Sequence, residues 1–213
     1  MITSFLRSKN FYPYFFQSLF SKGSAYLRGF CVSVIVLSGL TACAVSHKEQ
    51  TADNKKVISA VESYLSTVKL KDVPFVQTWS DGVQGAGVLT YYPGSLFMRY
   101  SQPHVMTLKA NGKSAVFIDR VMGSETHMGL SRNPLGVLLE KPVRLSGSVI
   151  VTDVQQRWKG NNGSIQISMA RKDNPSQGLV TLRFKQFGKQ MTLYEIRILD
   201  ETHKETIIDL ESP

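Results

Sequence analysis

The sequence predicts a mainly β (α+β) fold: a many-stranded antiparallel sheet that curls or closes, preceded by one helix. Three observations carry this. Alternating apolar and polar runs recur from about residue 73 to the C-terminus. Turn-forming pairs separate them, at Asp81-Gly82, Pro93-Gly94, Asn111-Gly112, Asn162-Gly163, Asn174-Pro175 and Gly188-Lys189. Only two stretches of the same region and the segment before it follow a helical spacing instead. So many strands joined by tight turns form a sheet that has to curl or close.

The N-terminus is of a different kind. Arg7, Lys9, Lys22 and Arg28 precede the apolar run 29–42 (GFCVSVIVLSGLTA), and no acidic residue occurs before Glu49. A basic stretch, an apolar stretch of this length and a small-residue exit make a secretory signal. The run is short of the roughly 20 apolar residues that a transmembrane helix needs. The basic stretch is long, which points to a start codon downstream of Met1. Leu40-Thr41-Ala42-Cys43 has the form of a bacterial lipobox, where a Cys thiol beside small residues is acylated and becomes the mature N-terminus. The same residues contain Ala42-Cys43-Ala44, an A-x-A site whose cleavage after Ala44 would release a soluble protein. A chance cysteine is the third reading. The lipobox is preferred because Leu40 stands three places before Cys43 and the chain has only two cysteines. Ala44 rather than Asp after the Cys directs an acylated protein to the outer membrane of a Gram-negative envelope. The expected organisation is therefore a signal peptide with lipobox over 1–43, a polar linker over 44–54 and one domain over 55–213.

Cys31 leaves with the signal, so no internal disulfide can form and stability must come from packing. Taking the four signal cations from the 25 basic residues leaves 21 against 16 acidic ones, a net +5. These cations are dispersed, with no run of five or six, which argues against a nucleic-acid partner.

Within the domain, Asn54 is placed to cap a helix over 55–69, whose Val57, Ile58, Val61, Leu65 and Val68 repeat at three and four. Strands are expected at about 73–80, 85–92, 95–101, 104–110, 114–119, 149–158, 164–171, 178–187, 190–199 and 204–210. The hairpin over 85–103 is the most informative. Gly87, Leu89 and Tyr91 share one face of its first strand and Leu96, Met98 and Tyr100 one face of its second, because residues two apart in a strand point the same way. Phe75, Met106, Leu108, Val116 and Ile118 extend this apolar wall. Such a wall either fills a core or lines a pocket for an apolar ligand. Between strands, Asn133-Pro134-Leu135-Gly136-Val137-Leu138-Leu139 reads as a short helix with a cap-like Asn and Pro at its first position, stopped by Pro142. Its Leu135, Leu138 and Leu139 form one apolar face. The preceding 122–130 is irregular, so the helix is either a lid carried over the sheet or an ordinary core helix.

No catalytic constellation is legible. His47, His104, His127 and His203 lie in separate segments without metal-ligand spacing, there is no G-x-S-x-G elbow, and Gly85-x-Gly87 lacks a third glycine. Asp119 with His127 is the one conceivable dyad, and it reads as a surface pair. No cofactor and no metal are implied, and the chain does not read as an enzyme.

Taken in order, these residues resemble the outer-membrane lipoprotein carrier family, the LolA-like proteins. A helix is followed by F-x-Q (Phe75, Gln77), then by G-x-L before Pro-Gly (Gly87, Leu89, Pro93, Gly94), then by Tyr100 and Pro103. The turn Asn111-Gly112-Lys113 leads to a strand ending in Asp119, then to P-L-x-x-L-L (Pro134, Leu135, Leu138, Leu139) and to a last hairpin with Ile198, Asp200 and Thr206. The resemblance covers about residues 56–210. It implies an incomplete antiparallel β-barrel of about 11 strands, with an N-terminal helix and a short lid helix on its concave side. It implies a periplasmic carrier whose apolar cavity, lined by the wall residues above, holds the acyl chains of lipoproteins between an inner-membrane release complex and an outer-membrane receptor. Two departures accompany it. The position before Pro-Gly, often basic in the family, is Tyr92. The lipobox at Cys43 suits an anchored acceptor, or a combined carrier and acceptor, in contact with the membrane through its acyl group, better than a free shuttle. A structural or regulatory envelope lipoprotein using the fold to recognise a protein partner is the remaining alternative.

Overall fold

A computed structural model of the protein describes residues 52–130 and 134–211. The signal segment, Cys43, linker residues 44–51 and Asn133 lie outside the described residues. Helix α1 (Ala52–Thr67) is followed by β1 (Leu70–Thr78), β2 (Gln84–Tyr92), β3 (Ser95–Gln102), β4 (Met106–Asn111), β5 (Ser114–Asp119) and β6 (Ser124–Gly129). A 3₁₀ helix (Pro134–Leu139) leads to β7 (Val149–Lys159), β8 (Asn162–Arg171), β9 (Gly178–Phe187), β10 (Gln190–Asp200) and β11 (Glu205–Leu210).

The eleven strands form one antiparallel sheet in the order β6-β5-β4-β3-β2-β1-β11-β10-β9-β8-β7. It is open, because β6 and β7 are its two edges, and so it is the incomplete barrel with an N-terminal helix that the resemblance implied, where the strand pattern alone left a sheet that curls or closes. Two meanders, β1 to β6 and β7 to β11, join where β1 pairs with β11, Phe75 opposite Leu210 and Gln77 opposite Ile208. This topology has one consequence for function. β6 and β7 follow each other in the chain yet sit at opposite edges of the sheet. The connection between them must therefore travel the full width, and it does so over the apolar face. Its Val137, Leu138, Leu139, Val143 and Leu145 are buried there beside Val61 and Leu65 of α1.

The helix begins at Ala52, so Asn54 lies within its first turn rather than capping it. The segment 122–130, expected to be irregular, contains strand β6. As an edge strand it is exposed on both faces except at Met128, so its Ser-Glu-Thr-His run shows no alternation. The helix over 134–139 is 3₁₀ rather than α, as suits a piece of six residues. Gly136 in it lies against the Leu130 carbonyl, where a Cβ would be 2.6 Å from the oxygen.

Register explains the packing of the central hairpin. Phe75, Gly87 and Tyr100 face one another across β1, β2 and β3. With no side chain on the middle strand, the flanking aromatics meet over it, edge to face with centroids 5.1 Å apart. A Cβ on Gly87 would collide with the Arg99 backbone carbonyl. On the opposite face, the Glu195 carboxylate is buried between Arg183 and Arg197, and Arg197 also reaches Glu205.

Candidate functional site

The apolar face of the sheet, α1 and the cross-sheet connection enclose a cavity of about 100 Å³. From the β2–β3 hairpin, Leu89, Tyr91, Leu96, Met98 and Tyr100 line it, and β4 adds Leu108 and Ala110. The roof is Leu135, Leu138 and Leu139 of the 3₁₀ helix with Leu65 of α1. All three leucines of the expected lid face thus point into the same space as the wall.

Two wall residues sit deeper. Phe75 and Met106 are buried on this face but do not reach the cavity surface. Two others were misplaced. Val116 lies opposite Lys109 and His127, and Ile118 opposite Thr107 and Glu125, which puts both on the outer face of the sheet. The Asn111-Gly112 turn sets Ala110 against Ala115 and Leu108 against Phe117, so Ala115 and Phe117 face inward instead. The run Ala115-Val116-Phe117-Ile118 is apolar throughout and carries no alternation from which its inward face could be read.

The sequence reading also missed half the wall. Leu193, Ile196 and Ile198 of β10 and Thr206, Ile208 and Leu210 of β11 line the cavity from the far side. Their signal was the plain alternation of β11. Only the β1–β11 pairing, between residues more than a hundred positions apart, brings them beside the hairpin.

The few polar groups at the cavity are committed. The Tyr91 hydroxyl donates toward two carbonyls, Leu138 at 2.8 Å and Leu65 at 3.2 Å. The first belongs to the roof, and the second lies in the last turn of α1, where carbonyls lack helical partners. Burial, with the neighbouring Tyr64 adding to it, pushes the Tyr91 hydroxyl far above the ordinary tyrosine range, so it stays a donor at any relevant pH. The Tyr100 hydroxyl donates to Gln77 Oε1 at 2.7 Å, which accounts for a Gln two places after Phe75 on an otherwise apolar face. The roof is pinned at two further points. The Leu130 amide donates to the Lys113 carbonyl at 2.7 Å, and the Leu145 amide to Glu62 Oε1 at 2.6 Å.

Away from the cavity, Asp119 pairs with His104 (2.9 Å) and His127 with Glu125 (2.9 Å), so the imagined Asp119–His127 dyad is not formed. Burial alone would raise the Asp119 carboxyl. The His104 hydrogen bond, the amides of Met122 and Val121 and the His104 charge outweigh it and hold the group below the usual carboxylate range. Among the described residues no group of three or more His, Cys, Asp or Glu side chains is placed to hold a metal, and no helix is long and apolar enough to cross a membrane.

No family model matches the chain, and no curated protein matches it. Among solved structures it is similar to a LolA superfamily protein from Nitrosomonas europaea, at 8% identity and a TM-score of 0.39, over 74% of this chain and 91% of that one. It is also similar to the lipoprotein LppX of Mycobacterium tuberculosis, at 10% identity and a TM-score of 0.39, over 74% of this chain and 94% of that one. Superpositions this loose leave the functional reading to the cavity itself.

Proposed function

We propose that the protein binds the acyl chains of lipoproteins in the cavity beneath the cross-sheet connection and helps move them between membranes of a bacterial envelope, with no bond chemistry of its own. The observation that supports this most is the convergence of two apolar surfaces, the hairpin wall and the Leu135, Leu138 and Leu139 roof, on one lined space.

The cavity is smaller than the several hundred Å³ that such a wall suggests and that ligand sites usually offer, roughly 300–1,000 Å³. The roof leucines take up that room. An acyl chain therefore enters by displacing them. Exposing the buried Leu138 and Leu139 and the half-buried Leu135 costs roughly 4–8 kcal/mol, at about 1.5–3 kcal/mol for a fully buried leucine. Burying an acyl chain of some 14 methylenes returns about 11 kcal/mol at ~0.8 kcal/mol each. The roof thus cancels roughly half of the gain and leaves a net of a few kcal/mol, which lets a protein take up its cargo without holding it irreversibly.

The lipobox supports an acylated Cys43 and hence an anchored acceptor rather than a soluble shuttle. The small cavity is the observation that favours the other reading, a filled domain used to recognise a protein partner. A fluorescent fatty acid separates them. The acyl-binding reading expects saturable binding that Leu108→Glu abolishes while the variant still unfolds cooperatively. Absence of binding to the wild-type protein would leave the recognition module.

A further inference from the structure

The molecule carries a second feature that the cavity does not use, at the corner of the sheet formed by the tips of the β7–β8 and β9–β10 hairpins. The two tips are tied together, Gly188 donating its amide to the Asn161 carbonyl at 3.1 Å, with Asn162 opposite Phe187. Two large aromatic residues stand in solvent here, Trp158 at 52% and Phe187 at 65% exposure. Four exposed cations surround them: Arg157, Lys159, Lys185 and Lys189. No acidic residue occurs between Asp153 and Asp173, nor between Asp173 and Glu195. Among the described residues none of the four cations has a carboxylate within ion-pair distance. Lys185 instead lies over the Tyr194 ring, 5.3 Å from its centroid.

Two exposed aromatics set among unneutralised cations gain nothing for the fold, since Trp158 and Phe187 are outside the core. We propose that this corner docks on an anionic phospholipid bilayer, with Trp158 and Phe187 entering the headgroup layer and the four cations meeting lipid phosphates. Register selects a bilayer over a protein partner. Arg157, opposite Ser164, and Lys185, also opposite Ser164, share one face with Lys159 and Phe187. Trp158 lies on the other face, its ring over Gly163. A protein would have to wrap both sides of the sheet to cover the two aromatics. A plane that meets the hairpin tips end-on reaches both at once. Trp and Phe with flanking Lys and Arg also form the side-chain set that settles at the boundary of headgroups and acyl chains. The docking is independent of what the cavity holds, and each function can fail without the other.

Trp158 supplies its own readout. The chain has two tryptophans, and the other, Trp79, is buried. In the full chain carrying Cys43→Ala and Trp79→Phe, Trp158 is the only one left. Should Trp79→Phe not fold, the same signal follows from subtracting a Trp158→Phe variant from the otherwise unchanged Cys43→Ala chain. Titration with phosphatidylcholine vesicles containing one-third phosphatidylglycerol is expected to shift Trp158 emission to the blue and protect it from acrylamide, and vesicles of phosphatidylcholine alone are not. Each juxtamembrane cation is worth about fivefold in partitioning, so Lys159→Glu with Lys189→Glu is expected to weaken binding on the order of 25-fold or more. The basic and apolar segment before Cys43 can also meet the vesicle, so binding is scored by Trp158 emission and acrylamide protection rather than by co-sedimentation. An equal shift with neutral vesicles, binding indifferent to the two charge reversals, or binding with no change in Trp158 emission would each overturn the proposal.

Discussion

Tyr91→Phe is the sharpest probe of how the roof is held. The substitution keeps the ring, its packing and the cavity volume, and removes only the hydroxyl that donates toward the Leu138 and Leu65 carbonyls. A buried hydrogen bond contributes about 0.5–1.5 kcal/mol net, and a buried acceptor left without its partner costs about 1–3 kcal/mol. Global stability should therefore fall by roughly 1–3 kcal/mol in urea. The loss should not be uniform. Leu138 belongs to a segment of six residues held by a few hydrogen bonds, whereas β8 and β9 are held by a full ladder. Hydrogen exchange over 134–140 should accelerate about tenfold beyond any change in β8 and β9. The functional sign is then opposite to that of an ordinary damaging mutation. If the docked roof excludes the ligand, weakening it by 1.4 kcal/mol raises apparent affinity for a fatty acid about tenfold, because less binding energy goes into opening. A variant that is less stable, exchanges evenly across the fold and binds fatty acid no better would refute the claim that Tyr91 latches the roof.

Two further expectations rest on the structure and a third on the lipobox in the sequence. Gly87→Ala forces a Cβ against the Arg99 carbonyl at the crossing of Phe75 and Tyr100 and should cost about 3 kcal/mol, read as a lowered urea midpoint. The Asp119 carboxyl titrates lower in the folded than in the unfolded chain, so its stabilisation is present above the ordinary Asp value of about 4 and is lost as pH falls through the lowered folded value. Asp119→Asn should accordingly destabilise the protein at pH 7 and flatten the decline in stability below pH 4, and an unchanged acid profile would place the acid sensitivity elsewhere. Cys43→Ala should move the protein from membrane to soluble fractions, whereas an intact mass with an unmodified terminus at Val45 would establish cleavage after Ala44.

The β2–β3 hairpin was legible in the sequence because both strands alternate cleanly around Pro93-Gly94. A period of two leaves only one way to place Leu89, Tyr91, Leu96, Met98 and Tyr100. The same rule failed at β5, where Val116 and Ile118 are as apolar as the Ala115 and Phe117 that face inward, and only the pairing with β4 decides between them. It failed at β6 for the converse reason, since an edge strand exposed on both faces has no apolar face to show. The apolar P-L-x-x-L-L segment was visible as a unit, but its route was not. That route follows from β6 and β7 occupying opposite edges, a property of the whole strand order. The tie between Tyr91 and the roof likewise joins positions 47 apart and leaves no local trace.

The central claim is that an acyl chain and the roof leucines compete for one apolar space. Hydrogen exchange of residues 134–145, measured on the protein alone and with a purified triacylated lipoprotein, tests it most directly. Exchange in this segment should become faster on binding, and the non-acylated form of the same lipoprotein should leave it unchanged. Exchange in 134–145 that stays slow while the acylated protein is bound would contradict it, since the acyl chain would then lie somewhere other than beneath Leu135, Leu138 and Leu139.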